Sequence, residues 1–256
     1  MKIETKCLHS GYTPKNGEPR VVPIVQSTTY TFNSTEHIAD IFDDPTKGLI
    51  YSRFANPTCD AVEKKIAALE GGVAAMLTSS GQAASLLSIL NLCSAGDSFI
   101  STATIYGGTI NLFGFTLKKL GIECIWVDGN ASEEEIQKAF KPNTKAVFGE
   151  TLANPALHVC DIEKLANIAH KNHVPLIIDN TFPTPILCRP IEFGADIVIH
   201  STTKYMDGHA VQGGGVIVDS GKFDWKAAYE KTGKFADFVE PDESYHGIRY
   251  VEKYGN

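Results

Sequence analysis

Between Ala74 and Asp219 short apolar runs alternate with amphipathic segments, and this alternation restricts the possible folds more than any other feature. A-A-M-L-T (74–78) is followed by G-Q-A-A-S-L-L-S-I-L (81–90), and S-F-I-S-T (98–102) by N-L-F-G-F-T-L-K-K-L (111–120). E-C-I-W-V-D (123–128) leads to S-E-E-E-I-Q-K-A-F (132–140), whose Ser132 and Glu135 have capping-box spacing. K-A-V-F-G-E (145–150) precedes D-I-E-K-L-A-N-I-A-H-K-N (161–172), and V-P-L-I-I-D, A-D-I-V-I-H and G-V-I-V-D complete the series. Continuous apolar runs separated by helices predict an α/β fold, a mainly parallel sheet covered by helices on both faces.

Residues 1–60 differ. They are rich in Thr, Ser, Pro and turn formers such as F-D-D-P-T-K-G, with little periodicity. This stretch reads as an extended N-terminal arm that wraps a body or reaches a neighbouring subunit. From about Pro57, D-A-V-E-K-K-I-A-A-L-E spaces Val62, Ile66 and Leu69 at helical intervals and stops at Gly71-Gly72. The polar stretch after Asp237 does not read as the finishing element of a domain. Residues 61–256 are therefore expected to form a large but incomplete α/β domain.

Composition excludes some functions. The chain has 256 residues, 43% hydrophobic and 21% charged, with a net charge of -7, whereas a nucleic-acid binder needs a basic face. The first residues lack a secretory h-region, and no apolar run has the length of a membrane span. Cys7, Cys59, Cys93, Cys124, Cys160 and Cys188 are scattered without a C-x-x-C pair, as reduced thiols in a cytoplasm would be. No G-x-G-x-x-G or G-K-[ST] loop is present.

In open α/β sheets, ligands bind beyond the carboxyl ends of the strands, and the reactive-looking residues fall there. Ser79-Ser80-Gly81 follows the first run and opens a helix, a turn that either caps the helix or offers its N–H groups to a phosphate. Asp179 closes V-P-L-I-I, where it either caps a turn or, if buried, needs a cationic partner. Lys204 follows A-D-I-V-I-H, 25 residues after Asp179, one strand-connection-strand step away. It reads as a solvated surface lysine or, if partly desolvated, as a nucleophile toward carbonyls, with hydroxyls at Ser201 and Thr203 beside it. An imine-forming lysine, an aspartate for a ring nitrogen and a hydroxyl-plus-helix phosphate cup together describe pyridoxal phosphate.

Seven motifs then carry a family resemblance. They are Y-S-R-F-A-N-P-T (51–58), A-A-L-E-G-G (67–72), S-S-G-Q-A-A (79–84), I-Y-G-G-T (105–109), E-T-L-A-N-P (150–155), D-N-T-F-P-T-P (179–185) and H-S-T-T-K-Y-M-D-G-H (200–209). In this order, across nearly the whole chain, the sequence resembles the Cys/Met-metabolism family of pyridoxal-phosphate enzymes, and most of all its O-acetylhomoserine sulfhydrylases. The resemblance implies the fold type I (aspartate-aminotransferase-like) architecture. It implies that Lys204 tethers the cofactor and moves protons, that Asp179 pairs with the pyridinium nitrogen, and that Tyr106 is catalytic, stacking on the ring and helping to activate the incoming substrate. It further implies Asn154 near the ring hydroxyl and Ser80, Gly81, Gln82, Ser201 and Thr203 in the phosphate cup. Tyr51 and Arg53 are implied to reach the phosphate of a neighbouring subunit, in a homo-oligomer built as a dimer of dimers.

The implied reaction is γ-replacement on O-acetyl-L-homoserine by sulfide or methanethiol, with no metal required. Methionine γ-lyases of the family carry a cysteine two residues after the stacking tyrosine, where this chain has Gly108. Relatives continue into a C-terminal domain that holds the arginine for the substrate carboxylate, and no residue here takes that role. Cystathionine γ-synthase, O-succinylhomoserine sulfhydrylase, cystathionine or methionine γ-lyase, and an inactive cofactor- or partner-binding fragment stay open as alternatives.

Overall fold

The computed structural model describes residues 1–44, 47–243 and 247–249. Pro45 and Thr46 of the turn-rich arm, and 244–246 and 250–256 of the polar tail, lie outside them. The chain divides into two compact units, Met1–Leu69 and Glu70–Asn256. The sequence reading puts the divide after residue 60, whereas compactness puts it at the end of the helix that follows.

The first unit contains α1 (Ile3–His9), α2 (Thr35–Asp43) and all but the last residue of α3 (Pro57–Glu70). Ser34 caps α2 by accepting the His37 N–H at 3.2 Å. The arm is fastened to α3 by side chains that reach backbone. Lys6 Nζ donates to Ala68 O at 2.9 Å and Lys65 Nζ to Cys7 O at 3.1 Å. Asn56 Nδ2 donates to Val25 O, and Thr58 Oγ1 accepts the Val25 N–H. These bonds explain why α3 clusters with the arm. Ile66 is buried as its spacing predicts, but Val62 is exposed, because Ala61 and Ala67 share the buried face instead.

The second unit is a seven-stranded sheet with its helices. The strands are β1 (Ala74–Thr78), β2 (Ser98–Thr102), β3 (Glu123–Val127), β4 (Thr144–Glu150), β5 (Leu176–Asp179), β6 (Ile197–His200) and β7 (Gly215–Asp219). Their order is β1-β7-β6-β5-β4-β2-β3. Only β7 runs against its neighbours, so the other six strands share one direction. Every residue of β2 is buried, as are most of β4, β5 and β6. Side chains alternate between the faces of a strand, so this burial means that both faces are covered.

The helices begin where the sequence signals them. Ser80 caps α4 (Gly81–Leu92) and Asp161 caps α8 (Ile162–Lys171). Ser132 and Glu135 close a reciprocal capping box on α7 (Glu133–Ala139). The helical run after Tyr106 departs from simple periodicity. It consists of α5 (Gly107–Asn111), a π-turn (Leu112–Thr116) and α6 (Leu117–Lys119). The π-turn carries Phe113, whose ring meets Phe99 and Phe148 edge-on at 4.8 and 4.9 Å, all three fully buried. Each such pair contributes about 1 kcal/mol beyond its buried area. The three rings form a closely packed part of the core.

Candidate active site

The six co-directed strands end together, and a cavity of about 350 Å³ lies at that edge. Nine residues singled out from the sequence line it: Ser80, Gly81, Gln82, Tyr106, Asn154, Asp179, Ser201, Thr203 and Lys204. Glu150, Thr181 and Phe182, which the sequence reading did not select, complete the wall. Tyr51 and Arg53 belong to the other unit, where Arg53 is exposed with its guanidinium 5.1 and 5.2 Å from the Tyr51 and Phe54 rings.

One end of the cavity is a cup made by two turns. Ser80 accepts the Ala83 N–H at 3.1 Å, while the first turn of α4 presents its backbone N–H groups to the cavity end, a natural seat for an anion. A Cβ on Gly81 would sit 2.5 Å from Ser201 Cβ and 2.8 Å from Ser201 Cα, so only glycine lets the turns before α4 and after β6 meet. Thr203 Oγ1 donates to Gly214 O at 3.2 Å and accepts the Gly214 N–H at 3.0 Å, which fixes the second turn. Gln82 Nε2 donates to Thr109 Oγ1 at 3.0 Å and joins the cup to α5.

At the other end stands Asp179. Thr181 donates its N–H (3.0 Å) and its hydroxyl (2.5 Å) to Asp179 Oδ1, and Thr181 Oγ1 accepts the Ser201 N–H at 2.8 Å. One threonine thus couples the carboxylate to the cup. Burial pushes the Asp179 carboxyl up, while the Thr181 bonds and the nearby His200 pull it down. An anion held here favours a cationic partner, and a protonated pyridine nitrogen fits that requirement. Together with the glycine-dependent cup, the lining residues suit pyridoxal phosphate.

Glu150 ends β4 directly beside Asp179 in the parallel ladder and is 4% exposed. Its Oε2 accepts the Tyr106 N–H at 2.5 Å, and the Asn154 N–H also reaches its carboxylate. Burial, and then the charge of Asp179, push its carboxyl up to about 8. Tyr106 itself is half-exposed above the cavity, with its ring against Gly108.

For Lys204 the structure takes the solvated one of the two readings left open by the sequence. Rather than partly desolvated, it is exposed, on the turn after β6 where the cavity opens into a wider groove lined by Phe182, Tyr205 and His209–Gly213. The turn carries Lys204 past the strand end, beyond the packed edge of the sheet. Beneath it is a buried cluster formed by Glu70, Asn180 and His200. Glu70 Oε1 lies 2.6 Å from His200 Nε2 and accepts from Asn180 Nδ2 at 3.0 Å, and Asn180 Nδ2 also donates to Cys188 O. The cluster anchors the residues adjoining Asp179 and Ser201. Of the residues that sequence reasoning missed, only Thr181 carried a local signal, since a hydroxyl two positions after Asp is a common turn pattern.

Among the described residues no group of three or more His, Cys, Asp or Glu is placed to hold a metal ion. No helix among them is long and apolar enough to cross a membrane. None of the six cysteines is disulfide-bonded, and burial pushes the Cys93 and Cys160 thiols up to about 12.

An α/β sheet with a lysine, an aspartate and a phosphate-type cup at its carboxyl edge defines a fold type I pyridoxal-phosphate protein. A model of the Cys/Met metabolism PLP-dependent enzymes matches residues 4–252, and the chain belongs to that family. It is 48% identical to the homocysteine/cysteine synthase of Kluyveromyces lactis over 99% of the chain, and 48% identical to an O-acetyl-L-homoserine sulfhydrylase of Corynebacterium glutamicum over 98%. In both cases the chain spans 57% of the relative's length. A crystal structure of a putative O-acetylhomoserine (thiol)-lyase from Campylobacter jejuni superimposes with a TM-score of 0.92 at 35% identity. That match covers 99% of this chain and 62% of the other, which carries a pyridoxyl-lysine phosphate. Cystathionine gamma-lyase from Lactobacillus plantarum aligns with a TM-score of 0.77 at 36% identity, over 86% of this chain and 55% of that one.

Proposed function

We propose that this chain supplies the cofactor-binding part of an enzyme that replaces the acetate of O-acetyl-L-homoserine with a thiol, sulfide or methanethiol, giving homocysteine or methionine. The observation that carries this reading is the convergence of Ser80–Gln82, Tyr106, Asn154, Asp179, Ser201, Thr203 and Lys204 on one cavity. When bound, pyridoxal phosphate supplies an electron sink for a carbanion at the substrate α carbon. The α4 N-terminus, Ser201 and Thr203 bind its phosphate. Asp179, ionised and held by Thr181, keeps a proton on the ring nitrogen. Lys204 Nζ would hold the cofactor aldehyde and, when free, would take the α proton and then a β proton as acetate leaves the γ carbon, and return protons to the β and α carbons after the thiol has bonded to the γ carbon. Tyr106, which lines the cavity, would pack on the ring and keep water from one face.

The same reading places Tyr51 and Arg53 at the phosphate of a neighbouring copy in a homo-oligomer, a dimer of dimers, working in the cytoplasm. The exposure of Arg53, with its guanidinium braced on two rings, supports a bidentate phosphate contact. A steady-state assay of the full-length protein tests the reaction. With O-acetylhomoserine and sulfide, homocysteine should form. Release of ammonia and an oxo acid without any thiol would instead assign a γ-lyase.

A further inference from the structure

Glu150 is a buried carboxyl that the reaction above does not use. It stands shoulder to shoulder with Asp179 at the ends of adjacent parallel strands, lines the cavity, and accepts the N–H of Tyr106 and of Asn154. Both N–H donors belong to residues that form the cavity wall, so one carboxyl sets the start of α5 and the loop after β4 together. The groups facing it are these two N–H groups and Asp179, with Thr181 and Lys204 also on the wall. Among the described residues no cation is bonded to Glu150. Two carboxyls buried side by side do not both ionise cheaply; each accepts two hydrogen bonds, but Asp179 has a hydroxyl among its donors and His200 nearby, which favour its anion over that of Glu150.

We propose, resting on the pyridoxal-phosphate reading, that Glu150 is a positioning residue that holds the Tyr106 and Asn154 backbone in place as a neutral acid, leaving Asp179 the only anion at the ring end of the cavity. The rise of its carboxyl toward about 8 agrees with this. The negative charge of a bound phosphate would disfavour a second carboxylate here, and a protonated ring nitrogen would pair with an ionised Asp179. Binding therefore selects the protonated form of Glu150, and affinity falls once Glu150 loses its proton.

The test is the dissociation constant of pyridoxal phosphate, read by quenching of protein fluorescence in the full-length apoprotein between pH 7 and 9, for wild type, Glu150→Gln and Glu150→Ala. Groups other than Glu150 respond to pH alike in every variant, so the informative quantity is the ratio of wild type to Glu150→Gln. Relative to Glu150→Gln, wild type is expected to lose affinity by about tenfold between pH 7 and pH 9. At pH 7, Glu150→Gln, whose amide oxygen still accepts both N–H groups, is expected to bind about tenfold more tightly than Glu150→Ala. A ratio that does not move with pH overturns the proposal, as does a Glu150→Gln protein no better than Glu150→Ala. A folded wild type that takes up no pyridoxal phosphate at any pH overturns the proposed function and this inference together.

Discussion

His200 Nε2 lies 2.6 Å from Glu70 Oε1, with neither side chain exposed to solvent. The two residues are 130 positions apart, and the same Glu70 oxygen accepts Asn180 Nδ2. Removing one member leaves the other buried without its partner, at a cost of about 3 kcal/mol. Urea unfolding of Glu70→Ala and of His200→Ala should each show a loss of that size. The double variant should lose much less than the sum, because the singles remove a shared interaction. Additive losses would mean that the pair is not coupled.

Gly81 sits where a methyl group would press on Ser201, 2.5 Å from its Cβ. Backbone as well as side chain is in the way, so Gly81→Ala pushes the two halves of the cup apart. The expected outcome is a stability loss of about 1–3 kcal/mol and cofactor binding weakened at least tenfold. Equilibrium dialysis against pyridoxal phosphate would show this, and undiminished binding would remove the cup from the account.

Gly108 faces the ring of Tyr106, 2.6 Å from Cε1 for an added Cβ. A cysteine or alanine there displaces a half-exposed ring that is free to swing, so the fold is spared. Global stability should change by less than about 1 kcal/mol, while cofactor affinity drops because the stacking platform tilts. A Gly108→Cys protein that binds the cofactor as wild type does would show that the ring keeps its place.

His170 Nε2 is 2.8 Å from Asp196 Oδ2, which also accepts the Leu176 N–H at the start of β5. The hydrogen bond to Asp196 holds the imidazole above its ordinary value, against partial burial. The folded state therefore binds this proton more tightly than the unfolded chain. The contribution is complete below the ordinary histidine value of about 6.5 and fades as pH rises through the elevated one. Exposure of nearly half the ring keeps the effect small. In Tm scans from pH 5.5 to 8.5, wild type should lose stability relative to His170→Gln toward the alkaline end, and parallel curves would rule out this linkage.

Much of this architecture is legible in the sequence because strands buried on both faces must be continuously apolar. V-P-L-I-I-D and A-D-I-V-I-H could hardly be anything else, and the residues just past them fall at the ligand-binding edge. The helix starts were equally plain, since Ser80, Ser132 and Asp161 act locally. What escaped was non-local. Glu150 ends K-A-V-F-G-E in a way that reads as a solvated strand end, and only its register beside Asp179 shows it lining the cavity. The Glu70–His200 contact closes over too long a loop for any spacing rule. Val62 has helical periodicity yet is exposed, because small alanines define the packed face of α3. Lys204 has the right neighbours in sequence, but the turn after β6 carries it out to the mouth of the cavity.

The most direct test of the central claim is the chemical fate of Lys204. Reducing the cofactor-loaded protein with borohydride and mapping the peptides by mass spectrometry should place a phosphopyridoxyl group on Lys204, and Lys204→Ala should carry none. A folded protein that takes up no reducible cofactor, or one that carries the group on another lysine, would contradict the account.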